Sequence, residues 1–74
     1  MAISLKPSMF KPLARVRYIP RHAYGDKYHF DCEDGKVSSV NGLFVFVKFD
    51  KQVVKKGWDE AIAEACDPES LILL

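Results

Sequence analysis

Residues 37–49 read VSSVNGLFVFVKF and decide the fold, because two strand-forming segments flank a turn signal. Asn41-Gly42 is the pair preferred at the centre of a two-residue type I′ turn, in which both residues need a positive φ angle. Such a turn fixes the strand register and places Val40 opposite Leu43. The next predicted pairs are Ser39 with Phe44, Ser38 with Val45 and Val37 with Phe46. This stretch therefore predicts a β-hairpin at the centre of the fold.

The returning strand of this hairpin has two different faces. Val45, Val47 and Phe49 share one face, and Phe44, Phe46 and Lys48 share the other. Because the second set ends in a lysine, we predict that the first set faces the core. Phe44 and Phe46 then either cover a second small core or form an exposed apolar patch.

A first strand is predicted at residues 13–19. These residues lie between two prolines, and arginines alternate there with apolar side chains. Val16 and Tyr18 are expected to face the core. Pro20 cannot donate a hydrogen bond to a neighbouring strand and marks the exit into a loop.

The loop predicted at residues 21–34 has no periodicity, and Gly25-Asp26 and Asp34-Gly35 both look like turns. Loops this long in a small domain are usually functional. We therefore expect a binding site here.

The C-terminal part is less regular. Residues 50–57 are predicted to be a loop in which two valines extend the hairpin. Residues 58–66 fit both a helix and a strand, because Trp58, Ala61, Ile62 and Ala65 have helical spacing whereas Ala61, Ala63 and Ala65 alternate. Asp67-Pro68 ends this element, and residues 70–74 form a last apolar strand.

Length and composition indicate one small globular domain. The chain has 74 residues, 49% of them hydrophobic and 28% charged. A domain of this size buries about 60% of its unfolded surface and can hardly sustain an internal catalytic cleft, which disfavours an enzyme. We predict an N-terminal tail at residues 1–12 and one domain at residues 13–74. With neither a secretory signal nor a membrane span, a cytoplasmic protein with reduced Cys32 and Cys66 is expected.

The order of these elements resembles the five-stranded SH3-like barrel, including its KOW and Tudor relatives. The resemblance covers residues 13–74. Its segments are Arg15-Val16-Arg17-Tyr18 as first strand, Gly35-Lys36-Val37 opening the second, FVFVKFD at 44–50 as third, and Asp67-Pro68-Glu69-Ser70-Leu71 before the fifth. It implies a mainly β, small five-stranded barrel with a long first loop and a short helical turn before the last strand. In this barrel the fourth strand directly precedes that turn, which favours a strand at residues 61–66.

Residues 15–50 also resemble small phage and prophage proteins that have no assigned activity. The likeness lies in the RVRY start and in a histidine-containing loop that ends in Asp-Cys-Glu-Asp-Gly. It implies a phage or bacterial origin.

Charges are segregated along the chain. Residues 1–21 carry five basic groups and no acid, whereas residues 58–74 carry five acids and no base. Oppositely charged segments are expected to neutralise one another across neighbouring strands. A dedicated basic binding face is the alternative.

Two classes of partner fit this pattern. Arginines on the first strand and aromatic rings in the long loop are suited to phosphates and unpaired bases. The same rings can bind a protein, which we favour because the net charge of +1 is low for a nucleic-acid-binding domain. The binding candidates are Arg15, Arg17, Arg21, Tyr24, Tyr28, Phe30, Phe44 and Phe46. A homo-oligomer formed by Phe44 and Phe46, or by edge pairing of residues 71–74, is also open.

Metal binding and catalysis have weaker signals. His22, His29, Cys32 and Cys66 are the ligand types of a zinc site, but their spacing does not match a zinc finger. Asp26, Asp31, Glu33 and Asp34 depart from the calcium-loop pattern. Acidic neighbours of Cys32 disfavour its thiolate, so we predict no catalytic residue and no cofactor, and retain the four His and Cys residues as weak metal candidates.

Overall fold

Five antiparallel strands curl into a half-barrel in the computed structural model, which describes residues 5–74. The strands are β1 (Arg15–Tyr18), β2 (Glu33–Val40), β3 (Val45–Phe49), β4 (Glu64–Cys66) and β5 (Leu71–Leu73), in the sheet order β4-β3-β2-β1-β5. A helix, α1 (Asp50–Lys56), follows β3, and 3₁₀ turns lie at Pro7–Met9, Arg21–Ala23 and Pro68–Ser70. The predicted mainly β fold, with a helical turn before the last strand, is confirmed.

The core lies on the concave face of the sheet. Val16, Val37, Val45 and Val47 are completely buried, and Leu71 is 1% exposed. The predicted inward faces of β1 and β3 are thus confirmed, with Tyr18 packed against this core.

Phe10 belongs to the same core. It is 3% exposed, although it lies in the segment predicted to be an N-terminal tail. The packed part of the chain therefore begins before residue 13. Residues 1–4 of that predicted tail lie outside the described residues.

The β2–β3 hairpin forms at the predicted place, but its register was predicted wrongly. Val40 pairs with Val45, and residues 41–44 form a four-residue loop. The side-chain oxygen of Asn41 accepts hydrogen bonds from the backbone N–H groups of Leu43 (2.8 Å) and Phe44 (2.7 Å), which favours this wider loop. Neither Asn41 nor Gly42 has a positive φ, so no type I′ turn is present.

Ser38 is an extra residue in β2. The pairing shifts between Val37, which pairs with Val47, and Ser39, which pairs with Phe46. Ser38 thus forms a β-bulge, after which Val40 also packs against the core.

Gly35 lies within β2, so the turn predicted at Asp34-Gly35 is wrong. Gly35 pairs with Val16 on one side and with Phe49 on the other. A Cβ atom at this position would lie 2.7 Å from the carbonyl oxygen of Lys48 and 2.8 Å from Cγ1 of Val47. The glycine is needed for close packing across the sheet and not for a turn.

Residues 50–56 form α1 and not the predicted loop. Asp50 lies in the first turn, and Lys55 and Lys56 lie in the last turn, which matches the helix dipole. The strand favoured at residues 61–66 is present but shorter, as β4, after a turn in which the N–H of Ala61 donates to the carbonyl of Gly57 (3.0 Å). No helix within residues 5–74 has the length and apolar character needed to span a bilayer.

Candidate functional site

The connection between β1 and β2 carries four of the eight predicted binding residues. We call residues 21–32 the aromatic loop; it ends two residues earlier than predicted because β2 begins at Glu33. The 3₁₀ turn at Arg21–Ala23 opens the loop, and Ala23 is buried at 4% exposure. One end of the loop is therefore fixed to the body of the domain.

Three large rings project from the aromatic loop. Tyr24 is 94% exposed, Phe30 is 89% exposed and Tyr28 is 79% exposed. Tyr24 has the left-handed backbone conformation (φ 50°) at the end of the 3₁₀ turn. The Phe30 ring stacks on His29 with centroids 4.7 Å apart.

The backbone beneath these rings is held by local hydrogen bonds. The N–H of Tyr28 donates to Oδ1 of Asp26 (2.9 Å), and the thiol of Cys32 donates to the carbonyl of Asp26 (3.3 Å). The guanidinium of Arg17, on β1, donates to the carbonyl of Lys27 (3.2 Å). The high exposure of the rings thus belongs to a folded loop that is tied to the sheet.

A cleft of about 520 Å³ separates the aromatic loop from the start of α1. Its lining residues are Arg17, Lys27, Tyr28, His29, Cys32, Glu33, Asp34, Phe49, Asp50 and Lys51. Most of their charges are paired. Arg17 binds Asp34 through two nitrogens at 2.6 Å and 3.0 Å, and Lys51 forms an ion pair with Glu33.

Ion pairing shifts the pKa values of Asp34, Arg17 and Lys51. The hydrogen bond from Arg17 lowers the pKa of Asp34, and the same bond raises the pKa of Arg17. The hydrogen bond with Glu33 raises the pKa of Lys51. Each group is held in its charged form, so the cleft presents paired charges of both signs beside the Tyr28 ring.

The predicted basic strand does not present free charge. Arg15 donates two hydrogen bonds of 2.7 Å to the carboxylate of Asp50, which raises the pKa of Arg15, and Arg17 is bound to Asp34. Arg21 is exposed and takes part in no ion pair within residues 5–74. The arginines of β1 are therefore neutralised by acids of other segments, which was the first of our two interpretations of the charge pattern.

Phe44 and Phe46, which we predicted to adjoin residues 21–34 in one contact surface, lie at the other end of β2. The loop leads into β2 at Glu33, whereas the hairpin loop begins after Val40, about 23 Å away along an extended strand. Phe44 is 41% exposed in the hairpin loop, and Phe46 is half-buried opposite Ala65 of β4. The fold therefore separates these two rings from the other candidates.

The metal candidates divide into two groups. His22 and His29 lie together with Asp31, whose Oδ2 is 2.6 Å from Nε2 of His22. Cys66 is buried in the core on β4, where desolvation raises the pKa of its thiol to about 11. Cys32 and Cys66 are both free thiols. Of the four predicted acidic candidates, only Asp31 joins a group of potential ligands within the described residues.

A second site, which the sequence analysis missed, lies on the convex face of the sheet. This outer groove of about 360 Å³ is lined by Leu13, Arg15, Lys36, Lys48, Asp50, Val53 and Trp58. Arg15 pairs with Lys36 across β1 and β2, and Lys36 pairs with Lys48 across β2 and β3. Three cations therefore occupy one row across three strands. Only the observed strand register places these three residues side by side. The sequence signal for this site was the outward position of the two lysines on their strands.

Trp58 closes one end of the outer groove. Nζ of Lys48 donates to the carbonyl of Trp58 (2.7 Å) and lies 4.7 Å from the centre of its ring. This contact fixes Lys48, whereas Lys36 is exposed and has no ion-pair partner in the described part of the chain.

Comparison with models of protein families, with curated proteins and with solved structures gave no match for this chain.

Proposed function

We propose that this chain is a non-enzymatic interaction module that binds a partner protein through the aromatic loop and the cleft beside it. The observation that carries the proposal is the exposure of Tyr24, Tyr28 and Phe30 on a loop whose backbone is hydrogen-bonded. Burying each ring would contribute roughly 1.5–3 kcal/mol, and each of the three residues is at least 79% exposed. An exposed tyrosine that lines a cleft, as Tyr28 does, is typical of the few residues that dominate protein binding.

The charges of the cleft favour a protein over a nucleic acid. Arg17 and Lys51 are bound to Asp34 and Glu33, so a phosphate backbone would have to displace a carboxylate from each. A polypeptide carries donors, acceptors and charges of both signs, which matches a lining of paired charges.

The Cys66 thiol is a poor nucleophile, which supports a role other than catalysis for this residue. Cys66 is buried, and desolvation raises the pKa of its thiol to about 11. Only a thiolate is reactive. A cytoplasmic setting and a phage or prophage origin stay predictions from the sequence.

Site-directed photo-crosslinking tests the proposal. A photoreactive phenylalanine analogue replaces Tyr28 in one sample and Leu43, which is 73% exposed in the hairpin loop, in the other. In an extract of the source organism, we expect a protein adduct from position 28 and none from position 43. An adduct with nucleic acid, or equal adducts from both positions, would contradict the proposal; an adduct with a second copy of the chain would identify the partner as the chain itself.

Calorimetry with the purified partner then measures the contribution of the rings. We expect Tyr24→Asn, Tyr28→Ser, Phe30→Ser to weaken binding at least about 100-fold, because residues of this kind each contribute 2 kcal/mol or more. Leu43→Ser is the matched control and should change the affinity less than about threefold. Unchanged affinity in the triple variant would refute the role of the loop.

A second candidate function is nucleic-acid binding, and the outer groove favours it. Like charges directly opposite each other destabilise a sheet, and Lys36 and Lys48 form such a pair beside an aromatic ring. A phosphate bound between them would relieve the repulsion, and Trp58 offers a surface for a base.

Fluorescence anisotropy of a labelled single-stranded oligonucleotide tests this second candidate. If it is correct, affinity falls steeply between about 50 mM and 200 mM salt. Lys36→Gln should then reduce the slope of log affinity against log salt concentration by about one, the value for one lost phosphate contact. Lys55→Gln, an exposed lysine of α1, is the control. Binding that is absent, or that is equally weakened by both variants, would exclude this groove.

A further inference from the structure

We propose that His22, His29 and Asp31 bind a divalent transition-metal ion, with zinc as the best match. One ligand atom from each side chain can be chosen so that all three lie within 4.8 Å of one another. Two imidazole nitrogens and one carboxylate oxygen form a set that suits borderline ions such as zinc, which has no geometric preference of its own. This inference does not depend on the partner proposed above.

The three side chains are already oriented toward one another. Nε2 of His22 lies 2.6 Å from Oδ2 of Asp31, so both atoms face the centre of the cluster. The rings of His22 and His29 meet edge to face, with centroids 5.3 Å apart. The ring of Phe30 stacks on His29 at an interplanar angle of 19°.

The adjustment needed to hold zinc is small. Ligand atoms in a tetrahedral zinc site lie about 3.4 Å apart, as follows from zinc–ligand bonds of about 2.0–2.1 Å. The His22–Asp31 contact of 2.6 Å would open by about 0.8 Å, and the widest separation, at most 4.8 Å, would close by up to about 1.4 Å. Both side chains are free to move, because His22 is 62% exposed and Asp31 is 44% exposed.

Nδ1 of His29 has its lone pair directed into the loop. It accepts a hydrogen bond of 3.0 Å from the N–H of Asp31. An ion bound at this nitrogen displaces one exposed hydrogen bond, and the freed N–H turns to water. This cost is small beside the affinity of three protein ligands for zinc.

The ion would join the two ends of the aromatic loop. His22 lies in the opening 3₁₀ turn, whereas Asp31 lies two residues before β2. Bound zinc would cross-link positions 22 and 31 and so constrain the segment between them, which presents Tyr24, Tyr28 and Phe30. Three protein ligands leave a further coordination position open to solvent, as in open zinc sites and unlike closed structural ones.

Isothermal titration of the untagged chain with zinc tests the proposal. We expect one ion per chain, and at least about tenfold weaker binding in each of His22→Gln, His29→Gln and Asp31→Asn. Asp59→Asn, at an exposed acid outside the loop, is the control that should bind as the wild type does. Absent binding, or binding that is lost in Cys32→Ser or Cys66→Ser and kept in His22→Gln, would overturn the assignment.

Two spectroscopic measurements on the wild type keep the test independent of any effect of the variants on folding. Zinc should shift the ring ¹⁵N resonances of both histidines. Cobalt(II) should give visible bands of a nitrogen and oxygen ligand set without the intense sulfur-to-metal absorption of a cysteine site. Histidine resonances that do not move, or a sulfur band, would contradict the site.

Discussion

The sheet buries its apolar side chains and exposes its charged ones, whereas the aromatic loop exposes its apolar rings and hydrogen-bonds its polar atoms internally. In the sheet, Val16 and Val37 are completely buried and Lys36 faces solvent. In the loop, Tyr24 and Phe30 are 94% and 89% exposed, whereas polar atoms of Asp26 bond within the loop. The sheet residues carry the stability of the domain, and under the proposed function the loop residues carry recognition. Substitutions should therefore separate the two.

The largest loss of stability is expected from Gly35→Ala. The added methyl group would lie 2.7 Å from a backbone oxygen of β3, which cannot move without disrupting the sheet. We expect a loss of about 3 kcal/mol, the upper part of the range for overpacked cores, measured by urea unfolding followed by circular dichroism. Gly42→Ala is the control, because no atom lies within 4 Å of its added carbon and its φ is not positive. Equal stability of the two variants would contradict the close packing of β2 against β3.

Val47→Ala should be the next most damaging change. Val47 is completely buried at the centre of β3, so its truncation removes apolar contacts and leaves a cavity. We expect a loss of about 2 kcal/mol in the free energy of unfolding. Val54→Ala is the matched control, since Val54 is 88% exposed on α1 and alanine favours helix. If both variants lose the same stability, the assignment of the core face is wrong.

A smaller effect is expected at the ion pair that joins the two regions. Arg17 binds both Asp34 on β2 and the carbonyl of Lys27 in the aromatic loop. Asp34→Asn should reduce stability by less than half the Val47→Ala effect, since partly exposed ion pairs contribute little.

The pH dependence of stability reports on the same pair. Because the folded pKa of Asp34 is lowered, its contribution is complete above the ordinary aspartate pKa of about 3.9 and is lost as the pH falls through the folded pKa. Unfolding measured from about pH 6 downward should show a smaller decline in Asp34→Asn than in the wild type. Identical declines would show that the pair contributes nothing to stability.

The smallest effect on stability is expected from removing the exposed rings. Tyr24→Asn, Tyr28→Ser and Phe30→Ser should each change the free energy of unfolding by no more than about 0.5 kcal/mol, because the rings bury little surface. Asparagine is chosen at position 24 because it tolerates the left-handed backbone. A loss above about 1 kcal/mol in thermal unfolding would mean that the rings support the fold and are not reserved for a partner.

Local sequence patterns were sufficient for the sheet and insufficient for its register. Alternation identified Val45, Val47 and Phe49 as inward because a strand has a strict period of two. Asn41 has two uses in turns, a left-handed backbone or a side chain that accepts backbone hydrogen bonds, and the chain uses the second. That choice widened the hairpin loop and shifted every predicted pair.

Helix α1 was missed because the local signals of its segment conflict, whereas the site required information that local patterns do not carry. Val53 and Val54 favour a strand, and for that reason residues 50–57 were not predicted to form a helix. The acidic start, basic end and final glycine of this segment nevertheless favour a helix. Arg15 meets Asp50 across 35 positions of sequence, so its neutralisation depends on the fold. The exposed rings of the aromatic loop could be predicted because a long aperiodic segment leaves such residues without a core to enter.

Ser38 gives β2 an unusual tolerance to change in length. Removing this one codon would leave Val37 inward, Ser39 outward and Val40 inward, as a regular strand requires. The loss of a single codon between residues 34 and 36 would instead reverse the alternation on one side of the deletion, which would turn either Val37 or the charged residues before it to the wrong face. Over evolutionary time, relatives of this chain should therefore gain or lose a residue at position 38 more readily than anywhere else in the strand.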